Sequence, residues 1–144
     1  MINIAFVCMG NTCRSPMAEC IFKHICKENA DKDFKVSSYG LSAEKGTDIS
    51  PLSKQVLKEY KIRYTSHKAK KLTDKIMKKQ DYVFVMTPDM KRILKKYSNV
   101  YLISEFVDGI DIPDPYGLGM EEYESVFKLL YSSVKIIYKK LKEV

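Results

Sequence analysis

Four apolar runs, set between longer stretches of mixed polarity, divide the chain. Ile2-Asn3-Ile4-Ala5-Phe6, continued by Val7, and Tyr82-Val83-Phe84-Val85-Met86 are nearly continuous. Such runs are expected of strands covered on both faces. Phe34-Lys35-Val36-Ser37-Ser38-Tyr39 and Val100-Tyr101-Leu102-Ile103 are the other two strand candidates. Between them the apolar positions recur at helical spacing. Leu52, Val56, Leu57 and Tyr60 share one face, as do Met90, Ile93, Leu94 and Tyr97. A final helix is predicted over Met120 to Lys142, with Val126, Leu130, Val134, Ile137 and Leu141 facing inward.

Helix starts are marked by a hydroxyl followed by proline at Ser15-Pro16, Ser50-Pro51 and Thr87-Pro88, and Thr73 marks a shorter helix. A hydroxyl can cap the first free N–H groups, and proline suits the first helical position. Three stretches read as loops: Gly40 to Ser50, Ile62 to Leu72, and the turn formers from Asp108 to Gly117. Strands alternating with helices predict an α/β fold: a four-stranded parallel sheet with helices on both faces, three layers deep. The chain shows no repeat, low-complexity segment or linker, so one domain over residues 1–144 is expected. Ligands of such sheets bind at the carboxyl ends of the strands.

Composition changes this picture little. Hydrophobic content of 45% and charged content of 30% are ordinary for a soluble protein. No apolar run approaches the ~20 residues of a membrane span. The start of the chain lacks the basic leader of a signal peptide, so a cytoplasmic location with reduced cysteines is expected. The net charge of +7 is carried mostly by lysines, with arginine only at Arg14, Arg63 and Arg92. No stretch interleaves basic and aromatic residues as an RNA-binding sheet does, so nucleic acid is not expected as a partner. A general attraction to anionic substrates is the inference the charge supports.

Chemistry concentrates in one place. Val7-Cys8-Met9-Gly10-Asn11-Thr12-Cys13-Arg14-Ser15-Pro16 follows the first strand and opens a helix. Strand, short loop and helix start together make a phosphate-binding device, because converging N–H groups and the helix dipole favour an anion. Arg14 can fork onto phosphate oxygens, and the same positive field can hold Cys8 as thiolate, although a free cysteine has a pKa of about 8.5. Transfer of a phosphoryl group to sulfur also needs a proton for the leaving group and later a base for water. One carboxylic acid can do both. Asp108, Asp111 and Asp114 are available, and Pro113 and Pro115 restrict the backbone around Asp114. Cys8, Cys13, Cys20 and Cys26 form no C-x-x-C pair, and His24 and His67 are far apart, so a structural zinc site is not expected.

The run Cys8 to Pro16, followed by Met17-Ala18-Glu19, resembles the low-molecular-weight protein tyrosine phosphatase family. Asp114-Pro115-Tyr116 is similar to that family's general-acid motif, His67-Lys68-Ala69 to its His-x-Ala segment, and Ser38 stands where a supporting serine is expected. The resemblance spans essentially the whole chain. It implies Cys8 as nucleophile, Arg14 as phosphate clamp and Asp114 as acid and then base. It implies Met9, Gly10, Asn11, Thr12, Cys13, Arg14 and Ser15 around the phosphate, with Asn11, Ser15, Ser38 and His67 as a supporting network. Thr12 and Tyr116 would wall the substrate cleft, and Cys13 would be a disulfide partner for Cys8. No metal or other cofactor is implied, and the expected partners are phosphorylated proteins or peptides met by a monomer.

Thr12 stands where many tyrosine-directed members carry a branched aliphatic residue, and members resembling bacterial protein arginine phosphatases carry threonine there. The Gly40–Ser50 loop has no aromatic residue, and Gly117 replaces a second aromatic after Tyr116. Phosphotyrosine is the class-level expectation and phosphoarginine the alternative. A thiol-dependent arsenate reductase would need further cysteines downstream, and none follows Cys26.

Overall fold

A computed structural model describes residues 1–64, 67–107 and 111–143. Its elements run β1 (Ile2–Cys8), α1 (Arg14–Glu28), β2 (Phe34–Gly40), α2 (Pro51–Glu59), α3 (Asp74–Lys78), β3 (Tyr82–Val85), α4 (Pro88–Ile93), β4 (Val100–Leu102), a 3-10 turn at Ile103–Glu105, and α5 (Met120–Lys142). The four strands form one parallel sheet in the order β2-β1-β3-β4. The step from β1 to β2 runs opposite to the later steps. Right-handed crossovers therefore put α1 on one face and the connections containing α3 and α4 on the other. α5 packs on α1, and α2 also meets α5.

β1 is central, and Ile4, Ala5, Phe6 and Val7 are fully buried. From α1, Met17, Ala18, Ile21 and Phe22 pack down at i, i+1, i+4 and i+5, all without solvent contact. Phe6 stacks against Phe84 of β3 with ring centroids 5.6 Å apart, and Phe22 meets Tyr138 of α5 edge-on at 5.6 Å. Burying one such ring stabilises the fold by about 1.5–3 kcal/mol. The inward stripe expected of α5 is buried throughout.

Two helix starts follow the expected chemistry. Ser50 Oγ accepts from Ser53 N at 3.2 Å, and Thr73 Oγ1 from Ile76 N at 3.2 Å. Two do not. Thr87 makes no capping bond, and α1 begins at Arg14, so Ser15 lies inside the helix and does not cap it. Ile93 of the predicted inward stripe is 61% exposed, because α4 ends there, while Met90 and Leu94 turn to the core and Tyr97 packs against it half-buried. No helix among the described residues is long and apolar enough to cross a membrane.

With order β2-β1-β3-β4 the connections leave β1 and β3 in opposite directions. The crevice at the carboxyl end of β1 is the topological switch point, where such sheets bind ligands. The loop after Cys8 occupies it.

Candidate active site

The loop between β1 and α1 is tied down by its carbonyls. Cys8 O accepts from Leu41 N at 2.9 Å, Met9 O from Ser42 N at 2.9 Å, and Thr12 O from Ser50 N at 2.9 Å. Asn11 O takes the ring N–H of His67 Nε2 at 2.7 Å. In a trans peptide the next N–H points opposite to the carbonyl. Four outward carbonyls thus turn the amides of Met9, Gly10, Thr12 and Cys13 inward, as an anion cradle requires. Asn11 is the exception. Its backbone takes the left-handed conformation, with φ of 56°, and its nitrogen lies against Gly40. Asparagine tolerates this geometry better than most residues. Asn11 thus fastens the loop from behind.

The same residue organises a directional hydrogen-bond chain. Lys70 N donates to Asn11 Oδ1 at 3.0 Å, which fixes which way the amide faces. Its Nδ2 then donates to Ser15 Oγ at 2.8 Å and to Ser38 Oγ at 3.0 Å. Ser38 passes its proton to Glu19 Oε1 at 2.6 Å, since a carboxylate can only accept. Ser15 Oγ lies 2.9 Å from Cys8 Sγ and 3.4 Å from Tyr39 O. The single Ser15 proton faces both Tyr39 O and the closer sulfur, and a Cys8 thiolate, which can only accept, draws it to the sulfur. Asn11, Ser15 and Ser38 are all fully buried. Every polar atom named in this chain is paired, which makes it rigid.

Arg14 is 4% exposed. Its Nη1 donates to Ile112 O at 3.0 Å, and its Nη2 lies 3.6 Å from Asp114 Oδ2. Ile112 is a fully buried plug in the loop, Pro115 is buried beyond it, and Ile112 N donates to Met86 O just after β3. Asp114 Oδ1 accepts from Tyr116 N at 3.1 Å, while half of the carboxyl group remains open to water. Cys8, Gly10, Thr12, Cys13, Arg14, Asp114 and Tyr116 together line a cleft of about 230 Å³. The structure thus brings the sulfur, the guanidinium and one carboxyl group to a single cavity. Asp111 does not line it, and Asp108 lies outside the described residues.

α1 points its N-terminus at this cleft without a side-chain cap or an acidic residue in its first turn, so its partial positive charge is left for a bound anion. All four cysteines are free. Cys13 Sγ meets Tyr123 OH of α5 at 3.3 Å, and burial, followed by that bond, pushes the Tyr123 phenol up to about 12.

Several supports escaped sequence reading. Gly40 pairs with Cys8 across the β1–β2 register, and a Cβ there would sit 2.6 Å from Met9 O. A glycine ending a strand signals such a close approach, but not what approaches. Glu19, Lys70 and Tyr123 carry no local signal, because their roles come from partners 19, 59 and 110 positions away.

Residues 3–144 match the family described as low molecular weight phosphotyrosine protein phosphatase. The chain belongs to that family. A protein-arginine-phosphatase of Bacillus subtilis is 33% identical over 99% of this chain and 98% of its own. The low molecular weight protein-tyrosine-phosphatase PtpB of Staphylococcus haemolyticus is 35% identical over 90% of this chain and 94% of its own. Among solved structures, the YwlE arginine phosphatase, in a cysteine-to-serine mutant with a phosphorylated active-site serine, superposes with a TM-score of 0.91. It is 32% identical, covering 98% of this chain and 96% of that one. Overall identity to this phosphatase is therefore nearly equal for relatives named for either amino acid.

Proposed function

We propose that this chain is a cysteine-dependent protein phosphatase that passes the phosphoryl group through Cys8, with Asp114 as its acid and base. The observation that carries this reading is the convergence of Cys8, Arg14 and Asp114 on one 230 Å³ cleft over an amide-lined loop. The Cys8 thiolate attacks phosphorus, held by the hydroxyl of Ser15. As the sulfur–phosphorus bond forms, the bond to the leaving group breaks, and protonated Asp114 gives that group its proton. Arg14 and the inward amides take up the charge on the phosphoryl oxygens. Asp114, now a carboxylate, accepts a proton from water. The water oxygen attacks phosphorus, and phosphate and the Cys8 thiolate are released. The half-open carboxyl of Asp114 suits this exchange with solvent.

The substrates are phosphorylated proteins or peptides, met by a monomer in the cytoplasm. Phosphotyrosine is the class-level substrate, and Tyr116 is the single aromatic side chain lining the cleft among the described residues. One observation favours phosphoarginine as a second reading. Among the described residues the Thr12 hydroxyl, which lines the cleft, meets only Cys13 Sγ, weakly at 3.8 Å, leaving it able to bond a polar substrate. Hydrolysis of phosphotyrosine and phosphoarginine peptides side by side, by wild type and Thr12→Ile, tests both. Turnover of neither peptide sinks the phosphatase reading. Activity on phosphotyrosine alone in both proteins sinks the second.

A further inference from the structure

A second cavity lies outside the catalytic cleft. It is a groove of about 630 Å³ between one face of α1 and residues 61, 63, 67, 68 and 70. Along α1 it is lined at Pro16, Glu19, Cys20, Lys23, Lys27 and Glu28, the spacing of one helix face. The twelve helical rises from Pro16 to Glu28 give it a length of about 18 Å. Lys61, Arg63, His67 and Lys68 form the facing wall.

Its charge is uncompensated. Lys23 is paired with Glu19, His24 with Glu28, and the Lys70 ammonium lies 5.0 Å from the centre of the Tyr39 ring. Lys27, Lys61, Arg63 and Lys68 have no carboxylate partner among the described residues, and all four are exposed. Cys20 and Pro16 supply apolar surface beside them. Burial, then the charge of Glu19, pushes the Cys20 thiol up to about 12, so it is a neutral packing group and not a reactive one. Among the described residues no aromatic side chain lines the groove, so there is no platform on which nucleobases could stack. The unpaired cations come from both walls, Lys27 from α1 and Lys61, Arg63 and Lys68 from the other. An extended chain covers about 18 Å in five or six residues.

We propose that this groove is a docking site for an acidic, extended stretch of the polypeptide that carries the phosphorylated residue. The proposal rests on the phosphoprotein reading above for the origin of the peptide, but the groove can be tested without turnover. His67 joins the two sites: its ring lines the groove and donates to Asn11 O behind the phosphate loop. A docked segment would thus run beside the loop that receives the phosphoryl group.

The test is fluorescence anisotropy of a labelled, unphosphorylated Glu/Asp-rich decapeptide at low ionic strength. Wild type should bind it, and binding should weaken as salt rises, because screening shortens charge interactions to about 10 Å at 0.1 M. Lys27→Glu/Arg63→Glu, which breaks no ion pair among the described residues, should weaken binding at least tenfold. Lys135→Glu/Lys139→Glu, the same charge change on an exposed part of α5, should leave it within twofold. With phosphopeptides, an acidic flank should lower KM in wild type and lose that advantage in the groove variant, while p-nitrophenyl phosphate turnover stays the same. No binding by wild type, equal weakening in the α5 variant, or displacement by saturating orthovanadate overturns the proposal. So does equally tight binding of an oligonucleotide of matched charge. If no phosphopeptide is hydrolysed, the proposed function fails, and the anisotropy series still decides the groove.

Discussion

The side-chain amide of Asn11 donates to Ser38 Oγ at 3.0 Å, joining the phosphate loop to the strand beside it. The two residues are 27 positions apart and both fully buried. Through this contact the loop shares its hydrogen bonds with β2. Asn11→Ala should strand Ser15, Ser38 and Lys70 N, and place a residue less suited to left-handed backbone at φ of 56°. A lost bond with a stranded partner costs about 1–3 kcal/mol. The expected outcome is a fall in kcat of about 100-fold, with a smaller change in KM. Steady-state kinetics on p-nitrophenyl phosphate checks it, and an unchanged kcat would show that the loop holds its shape without this residue.

Gly40 offers a sharper probe of the same loop. A methyl group there meets Met9 O at 2.6 Å and Ala43 Cβ at 2.8 Å, and backbone cannot rotate away as a flexible side chain can. Gly40→Ala should therefore lower Tm and weaken inhibition by inorganic phosphate together. Overpacking costs about 1–3 kcal/mol. A variant with normal Tm and normal phosphate inhibition would contradict the close approach.

Asp114→Asn keeps the size of the side chain and its bond from Tyr116 N but removes the transferable proton. Loss of a general acid or base typically costs 10²–10⁴-fold. Turnover of phosphopeptides should fall by about that factor, and an aryl phosphate with a good leaving group should suffer less in the first step. Rapid-quench measurement should then show the phosphoenzyme accumulating. Full activity in this variant assigns the acid elsewhere.

Stability at the pH extremes should trace to Asp31, which joins the end of α1 to α5. Tyr138 OH donates to it at 2.7 Å and Lys142 Nζ at 3.0 Å. Burial opposes its ionisation, but the bonds from Tyr138, Asp33 N and Lys142 outweigh that and hold its carboxyl below the usual range. A lowered carboxylate stabilises the fold above about pH 4, the unfolded value, and loses that contribution as pH falls through the folded one. Tyr138 works at the other end. Burial and the bond to Asp31 push it up to about 12, so its contribution is present below about pH 10 and is lost between there and 12. Asp31→Asn should cost about 2 kcal/mol at neutral pH, and the gap to wild type should close as pH falls through the lowered folded value. Thermal melts from pH 2 to 8 read this directly.

What the sequence made legible follows a physical rule. Cys8, Arg14 and Ser15 lie within one loop and its helix, so their spacing carries their geometry. Asp114 stands out among three loop aspartates because two prolines restrict its backbone, and its carboxyl lies beside Arg14 in the cleft. The Ser15-Pro16 pair predicts a helix cap, yet a hydroxyl inside a first turn can turn toward any buried acceptor. Here Cys8 and Asn11 decide where it turns. Ile93 failed for a related reason: periodicity predicts a face only while the helix lasts, and α4 stops at that residue. Glu19 and Lys70 act through partners across the sheet, and no local pattern can announce a partner that only the fold supplies.

The supports of the phosphate loop come from far along the chain, at Ser38, His67, Lys70 and Ile112. In the order of synthesis Cys8 precedes Lys70 by more than sixty residues and Ile112 by more than one hundred. The sulfur is therefore made well before the residues that clamp its loop. The cradle can close around it only once the stretch holding Ile112 has emerged, which couples the onset of phosphate binding to that late-made stretch.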